Sequence, residues 1–185
     1  MPDQCPCRLC TDPLPYPAKV VFLDFDGVLN QVCGPFLQGP VHELNRITTI
    51  AGASIVVHSS WRNGRTMDHL KGILREAEVT GEILGATPVP KGGDVPDSGI
   101  LVLDEEDLDR FVEPGSSTKA KWAYERPGSI QTWLDTHPEV TVFVILDDAS
   151  FMGHLEPRHL RTDMRVGLTR DHSDQAIRML RGIPW

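Results

Sequence analysis

The sequence predicts an α/β sandwich built around a mostly parallel sheet. Short apolar, β-branched runs alternate along the chain with segments of helical spacing, the order expected of strand-helix-strand units. The strand runs are unbroken in their hydrophobicity, as buried strands are, and three of them stop abruptly in polar residues.

Residues 1–18 hold five prolines and no periodicity, and they read as a flexible Cys- and Pro-rich tail ahead of one domain over 19–185. Lys19 to Asp24 is the first strand, because Val20, Val21, Phe22 and Leu23 are apolar in succession. Glycines and prolines between Asn30 and Pro40 make a loop over its end. Pro40 then opens a helix whose apolar face is Val41, Leu44, Ile47 and Ile50 or Ala51, closed by Gly52. Ala53 to Val57 is a second strand, stopping in His58, Ser59, Ser60, Trp61 and Arg62.

Met67, Leu70, Ile73, Leu74 and Ala77 trace an amphipathic helix that ends before Gly81, and Ile83 to Ala86 is a short strand. Residues 88–120 are irregular, with a strand expected over Ile100 to Leu103. The acidic run from Asp104 to Asp107 reads as a solvated helix start, since acids favour that end of the dipole. Ser129 to Thr136 is helical, with Ile130, Trp133 and Leu134 inward. Val140 to Leu146 is the longest apolar strand and runs into Asp147 and Asp148. A last helix, N-capped by Ser173, carries Ala176, Ile177 and Leu180 and stops at Gly182.

A chain of 185 residues suffices for one real core. No apolar run is long enough to span a bilayer, and Met1-Pro2-Asp3-Gln4 does not open a signal peptide, which points to a soluble, cytoplasmic protein without a membrane partner. The net charge of −8 argues against broad attraction to nucleic acid, which rests on Lys and Arg neutralising phosphates. A local basic pocket is compatible with it. Cys5, Cys7 and Cys10 could supply three thiolates to zinc, with Cys33 or a histidine as the fourth ligand. Without a second pair at zinc-finger spacing, they read as reduced thiols of the tail.

Asp24 and Asp26 sit where a core strand runs out, and a carboxylate there is costly to bury unless a cation or hydrogen bonds compensate it. A metal ion is the first suspicion. Ser59 and Ser60 with Arg62 end the second strand, and Asp147 with Asp148 ends the long one. In an open parallel sheet ligands bind beyond the carboxyl ends of the strands, so the three clusters should converge on one crevice. His58, His154 and His159 lack zinc-protease spacing; His58 reads as a pocket wall and the other two as loop residues.

The stretch Asp24-Phe25-Asp26-Gly27-Val28-Leu29-Asn30, then Ser59-Ser60-Trp61-Arg62, then Ile145-Leu146-Asp147-Asp148, resembles the haloacid dehalogenase (HAD) superfamily of aspartate-dependent phosphohydrolases. The nearer likeness is to the small HAD domains of RNA repair proteins, akin to the phosphatase domain of polynucleotide kinase-phosphatase. It runs from about Lys19 to Leu180 and takes in Leu44-Asn45-Arg46-Ile47, Ala86-Thr87-Pro88, Ile130-Gln131-Thr132-Trp133-Leu134 and Gly167-Leu168-Thr169. The resemblance implies a three-layer, Rossmann-like (HAD-like) sandwich without a full cap domain. It also implies that Asp24 is the nucleophile and Asp26 the general acid and base.

Mg²⁺ suits such a site, held by the Asp24 carboxylate, the Asp26 backbone carbonyl and Asp147, with Asp148 as a direct or outer ligand. Ser59 is the choice for the hydroxyl that holds the phosphoryl group, with Ser60 close behind, and Arg62 suits a substrate phosphate. The family also needs a basic residue beside the phosphoryl oxygens. Arg126 fits best, because Arg126-Pro127-Gly128-Ser129-Ile130 resembles the turn that opens this helix in the relatives; Lys121 is the alternate and Lys119 a third choice. The short interval from Asp26 to Ser59 leaves no room for a cap, and residues 88–120 could form at most a flap. An open site favours a phosphate on a large molecule, such as a nucleic-acid terminus, over a nucleotide or small sugar phosphate, and a kinase or ligase partner is compatible with that. A non-catalytic phosphate-binding or regulatory module is the reading from another class.

Overall fold

Val20, Val21, Phe22 and Leu23 are all fully buried, which accounts for the unbroken apolar run: their strand is covered on both faces. The structure, a computed structural model, describes residues 18–31, 34–89 and 117–184, and of 117–125 the backbone course alone. Strands β1 (Lys19–Leu23), β2 (Ser54–Val57), β3 (Ile83–Ala86), β4 (Val142–Asp147) and β5 (His159–Arg161) form one sheet in the order β3-β2-β1-β4-β5. Every pairing is parallel. This is a Rossmann-like α/β architecture, as the alternation of strands and helices predicts.

Successive side chains of a strand point to opposite faces, and the two faces carry separate cores. Val21, Leu23, Ile55, Val57, Val144 and Leu146 pack with α1 (Gln38–Ala51), α2 (Met67–Glu76) and α4 (Arg170–Arg181). Val20, Phe22, Val56 and Ile145 pack on the other side with Ile130 and Trp133 of α3 (Ser117–Asp135) and with Met152 and Leu155. Phe22 meets the Trp133 ring edge to face at 5.4 Å. The result is three layers.

Several boundaries differ from the expected ones. Helix α1 begins at Gln38, so Pro40 is its third residue, where a missing N–H costs nothing because the N–H groups of the first turn have no acceptor within the helix. Strand β4 starts at Val142 and takes in Asp147. Helix α3 starts at Ser117 and carries Pro127 inside it, so Arg126 lies on the helix and not in a turn before it. Proline and glycine signal a helix end locally, but the packing of Ile130 and Trp133 against the sheet governs here. Helix α4 is capped by Thr169, not Ser173: Thr169 Oγ1 accepts from the His172 N–H while His172 Nδ1 accepts from the Thr169 N–H. Ser173 is instead buried one turn along.

Strand β5 has no counterpart in the sequence reading, because its three residues hold one apolar side chain, Leu160. His159 is thus a strand residue and not a loop residue, its side chain wholly buried. The strand expected over Ile100 to Leu103, the acidic run after it, most of the 88–120 flap and Cys5, Cys7, Cys10 and Cys33 lie outside the described residues. Among the described residues no helix is long and apolar enough to cross a membrane.

Candidate active site

Register brings the chemistry together. Leu23 of β1 lies between Val57 of β2 and Leu146 of β4, so the next residues, His58, Asp24 and Asp147, come level at the carboxyl edge. The Asp24 N–H donates to the Leu146 carbonyl at 3.0 Å and the His58 N–H to that of Leu23 at 2.8 Å. The chain runs from β1 outward to β3, then returns to place β4 and β5 on the other side of β1. The β1/β4 boundary is therefore the point where strand order reverses, the place where ligands bind in open parallel sheets.

Asp24 and Asp147 are both buried at this point, 1% and 0% exposed. From α3, Arg126 Nη1 reaches down and donates to Asp24 Oδ2 at 2.7 Å and to Asp147 Oδ1. Asp24 Oδ1 accepts from the Phe25 N–H and Asp147 Oδ1 from that of Ala149. The half-buried Asp148 completes the group: one carboxylate oxygen from each of Asp24, Asp147 and Asp148 lies within 4.8 Å of the others.

Three carboxylates face one guanidinium. Burial, and then the Asp24 charge, raise the Asp147 carboxyl to about 7 in spite of Arg126. The same two causes raise Asp148. Burial works against the Arg126 charge, but Asp147 and Asp24 outweigh it and hold the guanidinium protonated. Asp147 Oδ2 is buried and has no hydrogen-bond partner among the described residues. An uncompensated buried oxygen, beside two other carboxylates and with negative charge in excess, is what a hard divalent cation relieves. The donor set fits Mg²⁺.

The loop after β1 is shaped for this. Gly27 has φ +74°, and a Cβ there would lie 2.5 Å from Asp148 Oδ2, so only glycine allows Asp148 this close. Thr162 and Thr169, in segments with no firm role in the sequence reading, flank a turn that clasps the same loop: Thr162 Oγ1 donates to the Gly27 carbonyl at 2.7 Å and the Leu168 N–H to that of Val28 at 2.8 Å.

The other named residues are arranged around this centre. The Asp26 carboxylate is outside the trio and accepts from Asn30 Nδ2 at 3.0 Å and from Trp61 Nε1 at 2.8 Å. Ser59 is fully buried and its Oγ accepts from the Trp61 N–H, capping the short turn Ser60–Arg62. Ser60 is half-buried at the start of that turn. Arg62 Nη1 donates to the carbonyls of His58 and Ser59, so this guanidinium ties down the strand end. Lys119 and Lys121 belong to α3, and their side chains lie outside the described residues.

His58 is buried between Thr87, whose Oγ1 is 3.1 Å from Nδ1, and Asp147, whose Oδ2 is 3.9 Å from Nε2. Burial, and then Arg62 and Arg126, hold its pKa well below the usual value, so the imidazole is neutral and the contact with Asp147 is no ion pair. The sequence reading left Trp61, Asn30 and Thr87 without roles. Their signal was their place inside the quoted motifs, but which acid or histidine each would meet depends on the fold.

A model of the family described as "HAD domain in Swiss Army Knife RNA repair proteins" matches residues 20–173. The chain belongs to this family. The matched span runs from β1 into α4 and includes both Asp24 and Asp147, so the buried acids of this HAD domain lie within the family's own extent. Membership supports a HAD-type phosphatase, a hydrolase, in general terms. No curated protein and no solved structure matches the chain.

Proposed function

We propose that this HAD domain is a Mg²⁺-dependent phosphomonoester hydrolase that works through an aspartyl-phosphate on Asp24. The observation that carries the reading is the meeting of Asp24, Asp147, Asp148 and Arg126 at the strand-order reversal. Asp24 attacks phosphorus through a carboxylate oxygen, and the ester P–O bond breaks as the departing oxygen takes a proton from the Asp26 carboxyl. Asp26, now ionised, takes a proton from water as the water oxygen bonds to phosphorus and the Asp24–phosphorus link breaks. Arg126 offsets charge on the phosphoryl oxygens. Asp24, Asp147 and Asp148, with the Asp26 carbonyl, would hold Mg²⁺, which supplies the positive charge that lets a phosphate dianion approach a carboxylate.

The substrate we favour is an exposed phosphate on a large molecule, such as a nucleic-acid end. Among the described residues the interval between β1 and β2 is taken up by a turn and α1, with no cap inserted, and the family's description speaks of RNA repair proteins. Hydrolysis of an aryl phosphate with Mg²⁺ tests the reaction class: turnover should vanish in Asp24→Asn, and equal rates for the two proteins would refute it. A panel of 3′- and 5′-phosphorylated oligonucleotides against mononucleotides then tests the substrate. Preference for mononucleotides would overturn the large-substrate part alone.

A further inference from the structure

We propose that Trp61, together with Asn30, is a positioning residue that holds the Asp26 carboxylate in place to give a proton to the departing oxygen and later to take one from water. The inference rests on the reading of Asp26 as general acid and base. Each of its two carboxylate oxygens has its own donor from a different part of the chain: Asn30 Nδ2 on Oδ1 at 3.0 Å and Trp61 Nε1 on Oδ2 at 2.8 Å. A carboxylate held at one oxygen still pivots about that bond. Held at both, it has one orientation.

The donors are themselves held. Asn30 is fully buried, and its amide group also donates to the Gly34 carbonyl at 2.9 Å. The Trp61 indole lies edge to face with Phe25 at 5.6 Å, beside Phe36 at 5.7 Å, and beneath the Arg65 guanidinium at 5.5 Å. Its own N–H on the backbone is tied to Ser59 Oγ at the end of β2. The ring is thus fixed by packing before its edge meets Asp26. Both donors are neutral, so they orient the carboxylate without adding a charge that would compete for the phosphate.

A buried indole N–H usually finds some acceptor, so a bond to the nearest acid could be packing alone. Chemistry separates the two. Protonation of the departing oxygen matters greatly for a basic alkoxide and little for a nitrophenolate, which leaves unaided. Trp61→Phe keeps an aromatic ring and removes the donor. It should lower kcat/KM, which reports departure of the leaving group and not the later hydrolysis of the aspartyl-phosphate, by about tenfold to a hundredfold on an alkyl phosphate and by less than about threefold on p-nitrophenyl phosphate, with Asp26→Asn showing the same ordering more strongly. Equal losses on both esters, or none on either, would overturn the proposal.

If Trp61→Phe does not fold, as judged by circular dichroism, a benzothiophene analogue at this position replaces the N–H by sulfur at nearly constant shape, and the same split is expected of it. Wild-type protein that hydrolyses neither ester would sink both the phosphatase reading and this one. A kcat/KM that depends on Asp24 and Asp26 but falls equally on both esters in the Trp61 variants would sink only this one.

Discussion

Among the described residues Arg46 donates a hydrogen bond to Asp174 and Arg126 one to Asp147, and the two aspartates respond in opposite directions. On the surface between α1 and α4, Arg46 donates to Ser173 Oγ and to Asp174 Oδ1, with Glu43 and Arg170 close by. The hydrogen bond from Arg46 lowers the Asp174 pKa. At the sheet edge Arg126 is bonded just as closely to Asp147, yet that carboxyl rises to about 7, because burial and then the neighbouring Asp24 outweigh the guanidinium. Water already solvates Asp174, so a cation adds a little to a charge that is stable without it. Nothing solvates Asp147, and one cation shared by several acids leaves an excess that a second cation can meet. The surface network joins two helices. The buried one is poised for a ligand.

The contrast can be broken most severely at Asp24. Asp24→Asn should lower phosphatase turnover about ten-thousandfold while leaving a folded protein, as read by single-turnover assay and circular dichroism. Arg126→Ala comes next, with turnover down about a hundredfold to a thousandfold and stability reduced by about 3 kcal/mol in urea melts, since it strands two buried acids. Asp147→Asn should abolish any rise in melting temperature with Mg²⁺ without lowering the melting temperature of the metal-free protein, because it removes one of three acids that share a single guanidinium. A fall in the metal-free value would contradict this account.

Asp147 also sets a pH dependence. Its folded pKa lies above the ordinary carboxyl value, so the unfolded chain loses this proton first, and the metal-free protein loses stability between about pH 4 and about pH 7. A cation must displace the same proton. The Mg²⁺-induced rise in melting temperature should therefore grow from about pH 6 to about pH 8, as calorimetry at several pH values would register. The smallest effect belongs to the surface pair: Arg46→Ala should leave turnover unchanged and shift the melting temperature least of all these variants.

The sequence-legible parts are those whose cause is local. Continuous apolar runs mark β1, β2 and most of β4, and the amphipathic spacing of Leu70 and Leu74 marks α2, because burial acts on each segment wherever it ends up. Strand β5 was not legible: a three-residue strand with one apolar side chain exists because β4 offers it an edge. The run of α3 through Pro127, and the cap at Thr169 in place of Ser173, follow likewise from packing that a local signal does not contain. In the candidate site the acids could be named from their strand ends and Arg126 from the family likeness, but not the hydrogen bonds that each would make. Arg62 suits a phosphate by its chemistry, yet the fold turns its Nη1 onto the carbonyls of His58 and Ser59.

The amino-acid order alone determined that this chain is an alternating α/β domain with acids at the tips of buried strands, since hydrophobic burial and strand length are properties of short segments. Only the tertiary structure decided that Asp24 and Asp147 stand side by side beneath Arg126, and that Trp61 meets Asp26. Those contacts depend on the lateral order and register of strands distant in the chain, and register is set by how the two faces of the sheet pack, not by any one strand.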